Sequence, residues 1–360
     1  MSTERVTRRE FIQDSTAAAA GIALGLTPAR ADAAGTRPAG TGSRPAVPKS
    51  QILNHNESME YRRLGKTGLM ISAIALGGHW KKIPFSPESG EFKKNRRDVV
   101  SACIDCGINY VDACVGGEVT AYAEALRGRR DRMYFGYSWY EHEVRFPGWR
   151  STAKLLEGFD AGLKEARLEY ADLWRITCLE PGGKHTPIDQ EEIIAALEKA
   201  RKAGKARFVG LSSHDRDWLK MMIEKYPQIE VILTPYTAGS KQTPEGSLFD
   251  AVKKQDVGLF GIKPFGSGSV FHSRGAINPA TQKIDDELAR LTLRYVLAND
   301  AITAPIPGLI SVEQVKNAAQ AVSERRQLDQ AETLRFERAV EAMWANLPQD
   351  YQWLKDWEWA

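Results

Sequence analysis

From about residue 61 onward, the chain alternates between short apolar runs and longer runs with helical periodicity. Two short runs flank the Gly-bearing turn at 65–68 and predict a hairpin. Strand-like runs then cover residues 73–77, 108–112, 133–138, 170–177, 206–212, 230–234, 258–263 and 302–306. Helical periodicity follows each run, over residues 96–106, 118–126, 152–166, 191–203, 217–226, 247–255, 285–297 and 312–322. Because parallel strands alternate with helices, and eight such units fit within roughly 250 residues, the pattern predicts a closed (β/α)₈ barrel of α/β class.

This architecture predicts where function lies. Active sites of such barrels are built on the loops that follow the strands, at the carboxyl ends. We therefore expect functional side chains immediately after eight positions: Gly77, Asp112, Ser138, Thr177, Ser212, Thr234, Lys263 and Pro307.

The pattern also sets the domain boundaries. The barrel with its hairpin spans residues 59–322, and a C-terminal extension spans 323–360. The extension contains one more helical run, 330–345, and an aromatic tail rich in Trp and Tyr. Such a tail packs on the barrel, forms a contact between subunits of an oligomer, or covers the site as a lid.

The first 31 residues have the features of a targeting peptide rather than of a fold. Arg8 and Arg9 precede an apolar run, 17–26, and residues 29–31 form a small-x-small cleavage site. The run is shorter than the ~20 residues that span a bilayer. We interpret this segment as a twin-arginine signal peptide. The alternative interpretation is a basic amphipathic arm. Residues 32–58, rich in Ala, Gly and Pro, predict a flexible linker. The sequence thus predicts a periplasmic or secreted protein that does not associate with the membrane once its signal is removed.

Net charge and cysteine content limit the classes of partner that we expect the protein to bind. The net charge of +3 does not indicate nucleic acid, and four cysteines are too few for a disulfide scaffold, so a small-molecule substrate is expected. Cys114 and Cys178 both follow predicted strands. These two cysteines are free thiols, form a disulfide with each other, or bind a soft metal. We predict no metal site, because the sequence contains no known spacing of metal ligands. The partners such a metal would need are His79, His185, Glu118 and Glu180.

Four segments carry a family resemblance. They are YRRLGKTGL at 61–69, GINYVD at 107–112, GKARFVGLS at 204–212, and IPG at 306–308 followed by Ser311 and Gln314. In this order and spacing, the chain resembles the aldo-keto reductases over residues 60–322. The resemblance implies hydride transfer between NAD(P)H and a carbonyl, with a Tyr phenol as proton donor. In that family a Lys and a His adjust the pKa of the phenol, and an Asp pairs with the Lys.

The catalytic part of this resemblance is broken. Asp112 matches the family Asp, but Gly117, Ser138 and Thr177 stand where the Tyr, Lys and His are expected. These side chains cannot perform the same proton transfer. Side chains alternate across a strand, so if Thr177 faces the site, so does Arg175, and we predict that it pairs with Asp112.

Two further residues are candidates for the missing acid. His79 follows the first strand and Tyr140 follows the third. An imidazole titrates near neutral pH, and a phenol supplied from another position could replace the absent one.

The cofactor end is better preserved. Ser212 and Tyr236 match positions that contact the nicotinamide. Gly and Ser in the loop after 258–263 allow phosphate to approach the backbone. By resemblance the residues expected to bind NADP or NAD are Ser212, Tyr236, Lys263, Gly266, Ser267, Gly268, Pro307, Gly308, Ser311 and Gln314.

Three functions remain open at this point. The favoured one is an exported NAD(P)-dependent oxidoreductase that acts on a carbonyl or alcohol, sugar-like in character, with a non-standard proton donor. The second is a non-redox lyase or isomerase on the same barrel. The third is a pseudoenzyme that binds a nucleotide or ligand without catalysis. A barrel alone does not distinguish them.

Overall fold

Seven parallel strands form one continuous sheet in sequence order. The computed structural model describes residues 47–78, 80, 82–178, 185–240 and 246–354. The strands are β1 (Tyr61–Arg63), β2 (Met70–Ser72), β3 (Tyr110–Ala113), β4 (Tyr134–Tyr137), β5 (Ala171–Thr177), β6 (Ala206–Ser212), β7 (Val231–Pro235), β8 (Gly258–Ile262) and β9 (Ala304–Ile306). The first two form a separate hairpin, and β3 to β9 form the sheet.

Helices precede, connect and follow the strands of the sheet. They are α1 (Gly90–Asp105), α2 (Gly116–Ala125), α3 (Thr152–Ala166), α4 (Pro187–Lys202), α5 (Arg216–Lys225), α6 (Leu248–Gln255), α7 (Gln282–Leu297), α8 (Val312–Ser323) and α9 (Gln330–Ala345). Ser or Asp side chains accept a backbone N–H at the start of α1, α3, α5 and α8, which explains why the helices begin there. The predicted βα alternation is therefore present.

Residues 75–77 close the sheet into a barrel. Ala75 N donates to Pro305 O at 3.1 Å, on the β9 side. Leu76 N donates to Tyr110 O at 2.9 Å, and Asp112 N donates back to Leu76 O at 2.8 Å, on the β3 side. The predicted first strand is thus in place, although it pairs over too few residues to count as a regular strand.

The N-terminal hairpin covers the end of the barrel that is opposite the loops following the strands. Leu64 and Ile71 are buried there against barrel residues such as Tyr110 and Phe260. Gly65 is in a left-handed conformation (φ +48°), and a Cβ at this position would lie 2.2 Å from Gly258 N. Only glycine allows this close approach of the turn to β8.

The described part of the predicted linker is packed rather than extended. Asn54 Nδ2 donates to Ile104 O at 2.7 Å, and Asn56 Nδ2 donates to Asp105 O at 3.0 Å. These amides satisfy carbonyl groups at the end of α1, which otherwise lack helical partners. Residues 1–46, with the predicted signal and the rest of the linker, lie outside the described residues. Within the described part, no helix is long and apolar enough to cross a membrane.

The C-terminal extension packs on the barrel beside α7. Leu288 and Leu291 of α7 are buried against Phe336 and Met343 of α9 and against Leu354 of the tail. An Asp329–Glu332 capping box begins α9. This packing brings the described part of the tail to the carboxyl ends of the strands, where the cavity opens; residues 355–360 lie outside the described residues.

Candidate active site

A cavity of about 710 Å³ opens at the carboxyl ends of the strands. Its wall includes Asp112 near the end of β3, Thr177 at the end of β5 and Ser212 at the end of β6. It continues past the loop after β8 to Gln314 and Asn317 on α8. One continuous space therefore joins the predicted catalytic residues to the predicted cofactor residues.

A buried ion pair lies at the base of this cavity. Arg175 Nη2 is 2.5 Å from Asp112 Oδ2, and Arg175 Nε donates to Asp112 Oδ1 at 3.2 Å. Arg175 is 2% exposed and Asp112 5% exposed. The structure thus contains the pair predicted from strand alternation. Burial raises the pKa of Asp112, and the attraction of Arg175 opposes that shift without cancelling it.

Arg175 also connects the ion pair to neighbouring groups. Its Nη1 donates to Thr177 Oγ1 at 2.7 Å and to Cys114 Sγ at 3.5 Å. The planar guanidinium presents several donors in a fixed geometry, so one side chain serves Asp112, Thr177 and Cys114 together. The cation therefore contacts Asp112 and Thr177, which stand at the positions of the family's Asp and His.

Ser138 and Thr177, at the positions of the family Lys and His, share a hydrogen bond of 2.8 Å. The Ser138 hydroxyl donates to Glu143 Oε2 at 2.7 Å, and Thr177 N donates to the same oxygen at 2.7 Å. Burial raises the pKa of Glu143, although these donors oppose the shift. Glu143 could not be predicted as part of this site, because it lies in an irregular loop without periodicity. A hydrogen-bonded structural cluster thus replaces two of the family's catalytic side chains.

The position of the family's phenol is open. A Cβ built at Gly117 would meet no described atom within 4 Å. The next residue, Glu118, is 3% exposed and lines the cavity. Its Oε2 accepts a hydrogen bond of 2.8 Å from Cys114 N. Helix α2 therefore presents a carboxylate to the cavity, one residue beyond the expected phenol.

The predicted cofactor residues divide into two groups. Those lining the cavity are Ser212, Lys263, Ser267, Gly268, Gly308 and Gln314. Four others do not line it: Tyr236, Gly266, Pro307 and Ser311. Of these, Ser311 accepts a hydrogen bond of 3.2 Å from Gln314 N as the N-cap of α8, and Gly266 lies against Met343 of α9. Ser311 and Gly266 thus shape the helix that carries Gln314 and the loop that carries Ser267 and Gly268.

Two tail aromatics lie at the mouth of the cavity. The Trp353 indole stacks on the His214 ring with centroids 4.2 Å apart. Lys263 Nζ lies 5.2 Å from the centroid of the Tyr351 ring. Both aromatic residues line the cavity. The described part of the tail thus has the position expected of a lid.

Tyr140 and His79 are the two candidates for the missing proton donor, and the structure describes only Tyr140. Tyr140 lines the cavity, stacked on Phe146 at 6.1 Å and with Arg145 lying 5.4 Å from its ring centroid. His79 lies outside the described residues. The histidine after β5, His185, has a pKa lowered to about 4 by burial and does not line the cavity.

The cysteines after β3 and β5 are free thiols. Cys114 Sγ lies 3.7 Å from Thr177 Oγ1, whereas the Cys178 thiol donates to Ile176 O at 3.6 Å. The bridged alternative is thus absent from this structure. Among the described residues no group of three or more His, Cys, Asp or Glu side chains is placed to hold a metal ion.

A barrel with this cavity and this sequence belongs to the aldo/keto reductase family, whose sequence profile matches residues 74–341. The chain is similar to L-galactose dehydrogenase of Arabidopsis thaliana, with 26% identity over 297 residues, 75% of this chain and 90% of that protein. It is also similar to L-glyceraldehyde 3-phosphate reductase of Escherichia coli (strain K12), with 24% identity over 74% of this chain and 88% of that protein.

Solved structures show the same fold. An aldo-keto reductase of Bacillus halodurans in its holo form superimposes with a TM-score of 0.58 at 22% identity, covering 78% of this chain and 96% of that one. An aldo-keto reductase of Klebsiella pneumoniae in complex with NADPH gives a TM-score of 0.58 at 20% identity, covering 78% and 94%.

Proposed function

We propose that this protein is an exported NAD(P)-dependent oxidoreductase that interconverts an alcohol and a carbonyl on a carbohydrate-like substrate. The proton is exchanged by a group other than the family's phenol. The observation that carries the proposal is the continuous cavity from the Asp112–Arg175 pair to Gln314 and Asn317. Hydride transfer requires the substrate and the nucleotide to meet in one cavity, so the catalytic residues and the cofactor residues must line the same space.

The residues of the cavity fit a dinucleotide. Lys263 and Ser267 adopt left-handed conformations, with φ of 57° and 59°, and make a sharp turn in the loop after β8. A Cβ at Gly268 would lie 2.8 Å from Arg274 O, so the loop is closed too tightly for a larger residue. Lys263 and Arg274 supply positive charge on the cavity wall.

By family resemblance, Ser212 would hold the nicotinamide amide, and the loop around Ser267 the pyrophosphate. Gln314 would lie at the adenine end, where Ala318 aligns with the family's Asn and Asn317 is adjacent to it. The bound nucleotide supplies the hydride acceptor or donor. The chain itself positions the two partners and fixes a charge at the reacting end through the Arg175 guanidinium, which Asp112 and Thr177 orient.

The aromatic lining supports a carbohydrate-like substrate. Trp80, Tyr140, Tyr351 and Trp353 all line the cavity. Trp80 is fixed by edge contacts with Tyr122, at 4.9 Å between centroids, and with Phe92. Flat, rigid rings suit the C–H faces of sugars while hydroxyls bond elsewhere. Two relatives are named for sugar or sugar-phosphate substrates.

The first test is nucleotide binding. Millimolar NADPH or NADH is expected to raise the melting temperature, because a ligand that binds the folded state stabilises it by mass action. A variant with Ser267→Pro in the loop after β8 is expected to lose the shift. The proposal fails if neither nucleotide changes the melting temperature of the wild-type protein.

The second test is the reaction. A simple aromatic aldehyde with NADPH is expected to turn over at least ~10²-fold below the typical ~10 s⁻¹, because the tuned phenol is missing. A panel of aldoses with NAD⁺ or NADP⁺ is expected to give clearly faster turnover. Ordinary aldehyde reduction near ~10 s⁻¹ would contradict the non-standard donor.

Export is tested separately. Changing Arg8 and Arg9 both to Lys is expected to retain full-length protein in the cytoplasm, whereas the wild type reaches the periplasm in processed form. Normal export of the double variant would contradict the twin-arginine proposal.

A further inference from the structure

The proposed function requires a group that exchanges a proton with the substrate, and the ionisable side chains that line the described cavity wall include Asp112, Glu118, Tyr140, His214, Asp285, Asp286 and Asp350. Asp112 is held in a bidentate pair with Arg175. Asp285 accepts hydrogen bonds from His272 N, at 2.7 Å, and Ser273 N, at 3.1 Å, and so fixes the loop before α7. Both carboxylates are therefore committed to structural partners.

Glu118 is hydrogen-bonded as well, and it differs from these two carboxylates in its place in the fold. It follows the vacant phenol position on the first turn of α2, lines the cavity, and is buried. Its charge acts on both Asp112 and Cys114, which places it close to the base of the cavity. The hydrogen bond from Cys114 N fixes the carboxylate through Oε2.

Gly78 makes room for this carboxylate. A Cβ built on Gly78 would lie 2.1 Å from Glu118 Cδ and 2.2 Å from Oε2. Real Cβ atoms do not approach other atoms so closely, so any other residue at 78 would displace the carboxylate. The chain thus has a glycine where the carboxylate needs space, at the end of the first barrel strand.

Resting on the proposed function, we propose that Glu118 is the catalytic acid and base of this site. When the alcohol is oxidised, the substrate C–H bond breaks and its hydride passes to the oxidised nucleotide. The hydroxyl proton passes to the Glu118 carboxylate, and the C–O bond becomes a carbonyl. In the reverse direction the Glu118 carboxyl returns that proton to the oxygen that receives it. The ionised carboxylate is the form that accepts the proton, and the protonated carboxyl is the form that returns it.

The titration of Glu118 is set by several neighbours. Among the described residues, the ionisable groups in its surroundings include Asp112, Cys114, Tyr122 and, through the pair with Asp112, Arg175. Lys82 lines the same cavity. His79, which follows Gly78 in the chain, lies outside the described residues. The ionised form is the base, so kcat/KM for alcohol oxidation rises with pH through the Glu118 titration and then levels.

The test compares Glu118→Gln with the full-length wild type, using the aldose from the panel that turns over fastest. Gln has the shape of Glu and can still accept from Cys114 N, so the fold is preserved. We expect kcat to fall by ~10²–10⁴-fold, the rising limb of the pH profile to disappear, and the melting shift with NADPH to remain. Glu124→Gln, on the exposed face of the same helix, is the matched control and is expected to retain full activity.

Two further measurements complete the test. Gly78→Ala keeps the carboxylate but displaces it, and should lower kcat while leaving the NADPH shift intact. The titration of Glu118 is measured directly by infrared spectroscopy of the protein without nucleotide, as the carboxyl band in the difference spectrum of wild type minus Glu118→Gln. The midpoint of this titration should match the midpoint of the rising limb of the kcat/KM pH profile.

The outcomes separate the two proposals. If Glu118→Gln turns over as fast as the wild type, or the infrared midpoint differs from the kinetic one by more than about one pH unit, the role of Glu118 is overturned and the proposed function stands. If the wild type shows neither a nucleotide shift nor turnover of any sugar, both proposals are overturned.

Discussion

Each end of the barrel buries an aspartate, and the two aspartates have opposite electrostatic surroundings. At the closed end, Asp172 at the start of β5 is 2% exposed. Arg130 and Arg207 each approach it at 2.6 Å, and Phe135 N donates to it at 2.8 Å. Burial raises the pKa of Asp172, but the two guanidiniums and the N–H outweigh it and hold the pKa below its usual value.

At the open end, Asp112 has one guanidinium instead of two, and Glu118 adds a second negative charge nearby. Burial therefore prevails and the pKa of Asp112 is raised. The difference shows that charge is fully compensated where the barrel only needs to be stable. Charge is left under-compensated where the cavity lies, and perturbed groups of this kind are typical of functional sites.

Breaking the pair at the open end is expected to have the largest effect. Asp112→Asn leaves the Arg175 cation buried, and losing one partner of such a pair costs roughly 3–5 kcal/mol. The double variant Asp112→Asn/Arg175→Met removes the stranded charge and should recover much of this loss. Urea unfolding measures both, and equal stability of the single and double variants would show that Arg175 has another anionic partner.

The equivalent change at the closed end is expected to be milder. Asp172→Asn leaves Arg130 and Arg207, which are 22% and 27% exposed and therefore keep part of their hydration. We expect a loss of about 1.5–3 kcal/mol, typical of hydrogen bonds to charged groups. The same unfolding assay applies. If Asp172→Asn lowered the free energy of unfolding by more than Asp112→Asn does, the expected order of the two ends would be contradicted.

The two aspartates should also give opposite pH dependences. The pKa of Asp172 is lower in the folded protein than in the unfolded chain, where it is about 3.9. The ionised Asp172 carboxylate therefore contributes fully to the free energy of unfolding above about pH 3.9, and this contribution is lost as the pH falls through the folded-state pKa. The raised pKa of Asp112 means that stability decreases as pH rises from about 3.9 through the folded value. Unfolding free energies measured between about pH 3 and 7 should therefore have a flatter acid limb in Asp172→Asn than in the wild type.

The smallest expected effect concerns the tail, which covers only the open end. Trp353→Ala removes the stack on His214, and aromatic pairs contribute about 0.5–1.5 kcal/mol beyond the area they bury. Tail release should appear as faster limited proteolysis after residue 345, with little change in global unfolding. Trp353→Phe keeps a ring and is the control; identical proteolysis of the two variants would show that the stack does not hold the tail.

The barrel could be predicted from sequence because its signal repeats. Eight apolar runs with intervening helices leave few alternatives, and the seven regular strands appear in the predicted order. The Asp112–Arg175 pair could also be predicted, because strand alternation and the cost of an isolated buried charge act locally.

The rest of the site depends on contacts that no local pattern encodes. Glu143 accepts from Ser138, Thr177 and Trp174, which approach from two strands. From the sequence, Glu118 is a candidate only for metal ligation, because its contact with Gly78 brings together residues 40 positions apart along the chain. The contacts of Asn54 and Asn56 with the end of α1 could not be predicted, because Asn side chains in a loop have no periodicity.

The closure of the barrel by residues 75–77 has a kinetic consequence. The amide of Ala75 pairs with Pro305, about 230 residues later in the chain, whereas every other parallel pairing joins strands that are neighbours in sequence. During synthesis, β3 and residues 75–77 exist long before β9 emerges, so one side of the growing sheet has unsatisfied amides and carbonyls until the last strand arrives. Because such distant contacts form slowly, we expect this seam to be the last part of the barrel to form. Chains interrupted before residue 304 would expose two sheet edges that are able to pair with other copies.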